Sequence, residues 1–370
     1  MVSCTGKRQQ AGSGTGEEAA EVATGVEHAQ GFTLAENDGV TLLTVSNPWQ
    51  GAQHVTYRYA LCGKEKEVPA ELSGYTVIRT PVERVVCLST THVAMLSAIG
   101  KTHTVKALSG SEYVSDPEVV RAVASGETVD IGYEASLNFE KIIALKPDVI
   151  FAYGVGQEVL GSLRRLTDLG LTVVFNAEYL ERTALGKAEW IRFMAAFYGE
   201  EDRADSLFGN ICRSYDSLKQ ITAGMTDRPA VMCGLPWQGS WYIPGGRSSI
   251  AAMIADAGGN YLWKENTSHE SYPVDIEAII DKGAAADFWI NTGAAGSLSE
   301  IRSVDERLAL ARPWKTGQVY NNYARASAGG GNDYFESGIV RPHVILKDMI
   351  GIFHPDVLPG HSFYYYMKLN

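Results

Sequence analysis

The chain has 370 residues, 45% of them hydrophobic, enough apolar material for a large core divided over two lobes. Its 43 acidic and 32 basic residues leave a net charge of −11, which argues against non-specific nucleic-acid binding and permits docking on a basic partner. No apolar stretch reaches the roughly 18 residues of a membrane-spanning helix, so a membrane contact would have to come through an anchor.

Residues 1–30 read as a signal remnant and flexible tether. Cys4 follows a small residue in Met1-Val2-Ser3-Cys4 and precedes a polar Gly/Ser/Thr-rich tract, the arrangement left by a bacterial lipoprotein signal, which makes Cys4 the expected lipidation site. The other cysteines show no CxxC spacing, so no zinc site or redox pair is indicated; Cys87 and Cys233 lie in apolar runs as small hydrophobes, and the disulfide state of Cys62 and Cys212 stays open. Residues 31–80 read as an N-terminal β extension opened by a hairpin that turns at Glu36-Asn37-Asp38-Gly39.

From residue 81 the rhythm becomes strand–helix–strand. Arg84 to Ser89 is an apolar strand followed by a helix with Thr90 or Thr91 as its cap and Gly100 as its stop. A helix from Phe139 to Leu145 ends at Lys146-Pro147, and strands follow at Asp148 to Ala152 and Leu171 to Phe175. Residues 81–184 thus form an N-terminal α/β lobe with a parallel sheet. Residues 185–224 carry a long amphipathic helical stripe, broken only near Gly199-Glu200, and read as a rigid linking helix. Residues 225–350 repeat the α/β grammar, and residues 351–370 form a tail with no readable role. The two halves superimpose. Asn138-Phe139-Glu140-Lys141-Ile142-Ile143 before Asp148-Val149-Ile150-Phe151 matches Asp275-Ile276-Glu277-Ala278-Ile279-Ile280 before Asp287-Phe288-Trp289-Ile290, with a two-residue indel between helix and strand. Two copies of one unit imply two similar lobes facing each other across a cleft.

The segment Ser136 to Ile150, with its Glu-x-Ile-x-x-Leu-x-Pro-Asp core, resembles the signature of class III periplasmic binding proteins, which bind iron–siderophores, haem and cobalamin for ABC importers. The resemblance runs from about Pro81 to Ile352. It implies two Rossmann-like lobes with parallel central sheets joined by one long interdomain helix. It also implies a lipid-anchored monomer of the periplasm that has no enzymatic activity and no cofactor of its own, and whose partners are a metal chelate and a permease dimer in the inner membrane. Glu140 and Glu277 occupy the positions at which relatives dock on permease arginines. Independently of any family, two like charges at pseudo-twofold positions suit a twofold-symmetric basic partner.

Ligands of α/β sheets sit beyond the carboxyl ends of the strands, so the loops there supply the candidates. Tyr133 and Tyr272 stand before the repeat glutamates, near positions where cobalamin-binding relatives carry tryptophans. Trp237, Trp241 and Tyr242 offer faces to a planar or catecholate ligand, and Arg325 and Arg247 offer charge to an anionic group. His92, or His269, is a candidate axial ligand for haem, against the plainer reading of a solvated loop histidine. Direct metal coordination by His92, His269 and Glu270 lacks the set of three histidines and an acid found in free-metal binders, so no protein metal site is expected. An iron chelate, siderophore or haem, is the expected ligand, with cobalamin the alternative. A chelatase-like enzyme and a permease-independent capture lipoprotein are the readings from other classes. No G-x-S-x-G, P-loop or HExxH pattern in a fitting context favours the enzyme, and the glutamate pair weighs against the permease-independent reading.

Overall fold

The computed structural model describes residues 22–370 apart from 134–135 and 237–239. Cys4 and residues 1–21 of the expected tether therefore lie outside the described residues. Strands Val22–Thr24 (β1), Phe32–Asn37 (β2), Val40–Ser46 (β3), Thr56–Gly63 (β4) and Thr76–Thr80 (β5) form one sheet in that order. The β2–β3 hairpin turns through Asp38 and Gly39, both at positive φ, the turn whose twist matches the flanking strands. Strand alternation gives the sheet two faces. Phe32, Leu34, Leu43, Val45, Tyr59 and Leu61 join the main core, while Ala35, Val40, Leu42, Ala60 and Cys62 pack under Leu72 on the other side. Phe32 lies 4.7 Å from Trp190, and the Tyr59 hydroxyl accepts a 3.2 Å bond from the Phe175 amide, so this sheet is fused to the lobe that follows it.

That lobe is a parallel sheet of Val85–Cys87 (β6), Val105–Leu108 (β7), Val129–Asp130 (β8), Val149–Ala152 (β9) and Val173–Phe175 (β10), in the order β10-β9-β6-β7-β8. The side chains of β6 and β9 are buried throughout, as expected for strands covered on both faces. Its helices are Thr90–Ala98 (α1), Pro117–Ser125 (α2), Phe139–Leu145 (α3) and Gly156–Asp168 (α4). Ser89, not Thr90 or Thr91, caps α1, accepting from the Thr91 amide at 3.2 Å. Asn138 caps α3 by accepting from the Lys141 amide, and Lys146 ends it in a left-handed turn at φ 46°.

The connector is two helices, Ala184–Ala196 (α5) and Glu201–Ala223 (α6), separated at Phe197-Tyr198-Gly199-Glu200, where Gly199 takes φ +66°. The first is buried along most of its length and the second only along one stripe. The second lobe follows with Ala230–Cys233 (β11), Trp241–Ile243 (β12), Asn260–Tyr261 (β13), Tyr272–Val274 (β14), Phe288–Ile290 (β15), Val319–Asn321 (β16) and Met367–Lys368 (β17). Its main sheet runs β13-β11-β15-β16-β17; β12 and β14 pair separately and antiparallel. Its helices are Ser249–Asp256 (α7), Ile276–Gly283 (α8), Leu298–Val304 (α9), Arg312–Thr316 (α10) and Pro342–Phe353 (α11). The tail adds β17 as an antiparallel edge to the otherwise parallel sheet.

Three buried carboxylates bind residues 27–31 and the C-terminal tail to this frame. Glu189 accepts from the amides of Glu27, His28 and Ala29 at 2.7–2.9 Å, and Glu181 from those of Gln30 and Gly31 and from the Trp190 indole. Asp348 accepts from the amides of Tyr364, Tyr365 and Tyr366 and pairs with His361 at 2.7 Å. Successive amides converging on one oxygen pair make a favourable anion cradle.

Candidate ligand-binding cleft

The carboxyl ends of β11, β15 and β16 open onto a cavity of about 420 Å³. Cys233 and Gly234, Asn291 and Gly293, and Asn322 and Tyr323 reach it from those strands. Asn291 turns the chain sharply there at φ 57°, with its side-chain oxygen held by the Tyr366 hydroxyl at 2.8 Å. Tyr242, Tyr323, Tyr334 and Phe335 supply aromatic surface; Tyr242 and Phe335 are 56% and 58% exposed. Ala184 and Lys187, one turn apart on α5, close the floor from the connector side. The volume falls in the range of small-molecule sites.

A loop from Tyr323 to Ser337 separates this cavity from a second one of about 590 Å³ lined by α1, α6 and residues 115–117. The loop crosses to the first lobe. Glu336, 2% exposed, accepts from the amides of Ser115 at 2.7 Å and Asp116 at 2.8 Å. Gly329 and Gly331 lie so close to the opposite loop that a Cβ on either would strike the carbonyl oxygens of Glu112 and Tyr113, so only glycine permits the approach. Burial first, then the neighbouring Asp333 and Asp116, push the Glu336 carboxyl up to about 8 against the pull of the two amides.

Two expected ligand contacts, Trp241 and His92, are corrected by their burial. Trp241 is 2% exposed and stacks on Trp289 at 5.8 Å, because alternation along β12 turns it inward while Tyr242 turns out. His92 is fully buried within α1, beside Phe151, and burial holds its ring down to about 3. It is a neutral core histidine and presents no nitrogen to the cleft. Arg325 faces the second cavity, ion-paired with Asp333 at 2.7 Å and stacked 4.3 Å over Tyr364. Tyr272 packs against the core from β14, and Tyr133 lies on the rim of the first lobe, 5.6 Å from Tyr113. His269 is exposed and bonded to the Arg247 carbonyl at 2.9 Å. Among the described residues no three His, Cys, Asp or Glu side chains gather as a metal site. Trp237 lies outside the described residues. Among the described residues Tyr242 is the one expected contact that lines the strand-end cavity, and Lys187, within the segment read as the linking helix, was missed.

Glu140 and Glu277 are exposed in the first turns of α3 and α8, the corresponding helices of the two lobes. The two differ in their surroundings. Glu277 is bridged at 2.7 Å by Arg307, which also pairs with Asp305 at 2.7 Å.

The profile described as "Periplasmic binding protein" matches residues 85–321. The chain belongs to that family. An uncharacterized lipoprotein of Methanocaldococcus jannaschii is 26% identical over 327 residues, covering 85% of this chain and 76% of the relative. A periplasmic haem-binding protein from Pseudomonas aeruginosa superimposes with a TM-score of 0.60 at 15% identity, covering 78% of this chain and 98% of that one. A periplasmic vitamin B12-binding protein of Vibrio cholerae gives 0.54 at 16% identity, covering 75% and 99%. These likenesses show the helical-backbone, two-lobed α/β fold of class III periplasmic binding proteins.

Proposed function

We propose that this periplasmic binding protein is the solute-capturing subunit of an ABC importer. It takes up a metal chelate, an iron–siderophore or haem, in the strand-end cavity and delivers it to a permease dimer as a lipid-anchored monomer on the outer side of the membrane. The observation that carries the reading is the cavity itself. It lies at the carboxyl ends of one lobe's strands and is floored by the connector. Its aromatic and amide lining suits a large, partly apolar ligand.

Delivery rests on Glu140 and Glu277. Reversing both (Glu140→Arg with Glu277→Arg) should slow association with a permease dimer in nanodiscs by about 10- to 1,000-fold at low salt, while ligand affinity stays within about twofold. Surface plasmon resonance and a parallel ligand titration measure the two. Undiminished association, or loss of ligand binding instead, rejects the docking role.

A further inference from the structure

We propose that Lys187 is the cleft's ligand-anchoring cation and that the site therefore selects chelates bearing an anionic group, such as a carboxylate or catecholate oxygen. This rests on the chelate-capture reading above and narrows it. Lys187 is the single charged side chain among the described residues lining the strand-end cavity; every other lining group is apolar, aromatic, amide, hydroxyl or thiol. It projects from the second turn of α5, on the same face as Ala184, so it meets the ligand from the connector and not from a strand end.

Among the described residues the Lys187 ammonium forms no ion pair. Glu178 and Glu181 act on it electrostatically, yet the Glu181 carboxylate is engaged by the amides of Gln30 and Gly31 and by Trp190. Glu178, 3% exposed in the helical turn after β10, keeps one buried oxygen without a hydrogen-bond partner. A largely buried ammonium whose three donors find no acceptor among the described residues is unfavourable unless something else supplies one. An anionic ligand group in the adjoining cavity does so. Burial pulls the lysine down, so its charge gains more from an anionic partner than it would in water, and burial pushes the Glu178 carboxyl up, toward the neutral form that repels such a partner least.

The test titrates the full chain and its Lys187→Met, Lys187→Arg and Lys187→Met/Glu178→Gln variants with haemin and a ferric tricatecholate as anionic probes, and with ferrichrome and cyanocobalamin as uncharged ones. The wild type should prefer an anionic probe. K187M should lose about tenfold or more on it, K187R should retain most of the affinity, and binding of any uncharged probe should move less than about twofold. An anionic preference that survives in K187M, or a wild type that favours uncharged probes, overturns the anchor and leaves chelate capture standing. If Lys187 only balances Glu178, the double variant recovers both stability and anionic binding, which also overturns it. Silence toward all four probes contradicts chelate capture itself, and this inference with it.

Discussion

Glu189→Ala is expected to destabilise the folded chain by about 3–5 kcal/mol, since it leaves three amides at Glu27, His28 and Ala29 facing a buried, partnerless space. The same change removes the ion pair with Arg192, formed at 2.8 Å. Because Glu189 sits on the buried helix α5 and the three amides lead directly into β2, the loss should spread to the β extension, whose Phe32 packs on Trp190. Urea unfolding measures the energy, and limited proteolysis between Gly25 and Gly31 locates it. An unchanged midpoint with an uncleaved segment would show that apolar packing alone holds the extension.

Raising the pH from about 5 to about 8 is expected to weaken the contact between the lobes. Glu336 titrates near 4.5 in an unfolded chain and near 8 in this structure. Between those values the folded state holds a proton that the unfolded state has released, so stability is full below about 4.5 and falls as the pH rises through about 8. The size is about 2–4 kcal/mol, an order-of-magnitude figure from a buried group. Physically, ionisation places a charge beside Asp333 and Asp116 in a closed space, with only the Ser115 and Asp116 amides to solvate it. Glu336→Gln should flatten the slope, read as urea midpoints at pH 5 and 8, and Glu336→Ala should lower stability at both. A slope that persists unchanged in the glutamine variant would place its origin elsewhere. The contact bridges the lobes beside the strand-end cavity, so its strength bears on how readily the cleft opens.

Features encoded locally were legible from the chain alone. The matched segments Asn138–Glu140 and Asp275–Glu277, the hairpin turn at Asp38-Gly39 and the helix break at Gly199 each depend on a few adjacent residues. What failed depended on which face meets which neighbour. Trp241 and Tyr242 are adjacent in β12, so at most one of them faces outward, and composition does not say which. His92 reads as a solvated residue at the head of its helix, and only the packing of α1 turns it inward against Phe151. Arg325 is occupied by Asp333 and by Tyr364 from the tail, and the latter contact has no local signature. Lys187 shows least of all, because a lysine on an amphipathic stripe looks solvated until a second lobe folds over it. The buried carboxylates that hold residues 27–31, the C-terminal tail and the lobe contact share this property: each captures amides brought to it by the fold.

The most direct test of capture in the strand-end cavity is a fluorescence-quenching titration of the full chain with haemin, ferrichrome and cyanocobalamin, repeated on Tyr242→Ala/Phe335→Ala. One ligand should saturate at one per chain, at about micromolar concentration or below, and the double variant should weaken it by about tenfold or more. Saturation by none of the three, or saturation that the variant leaves intact, would contradict the assignment.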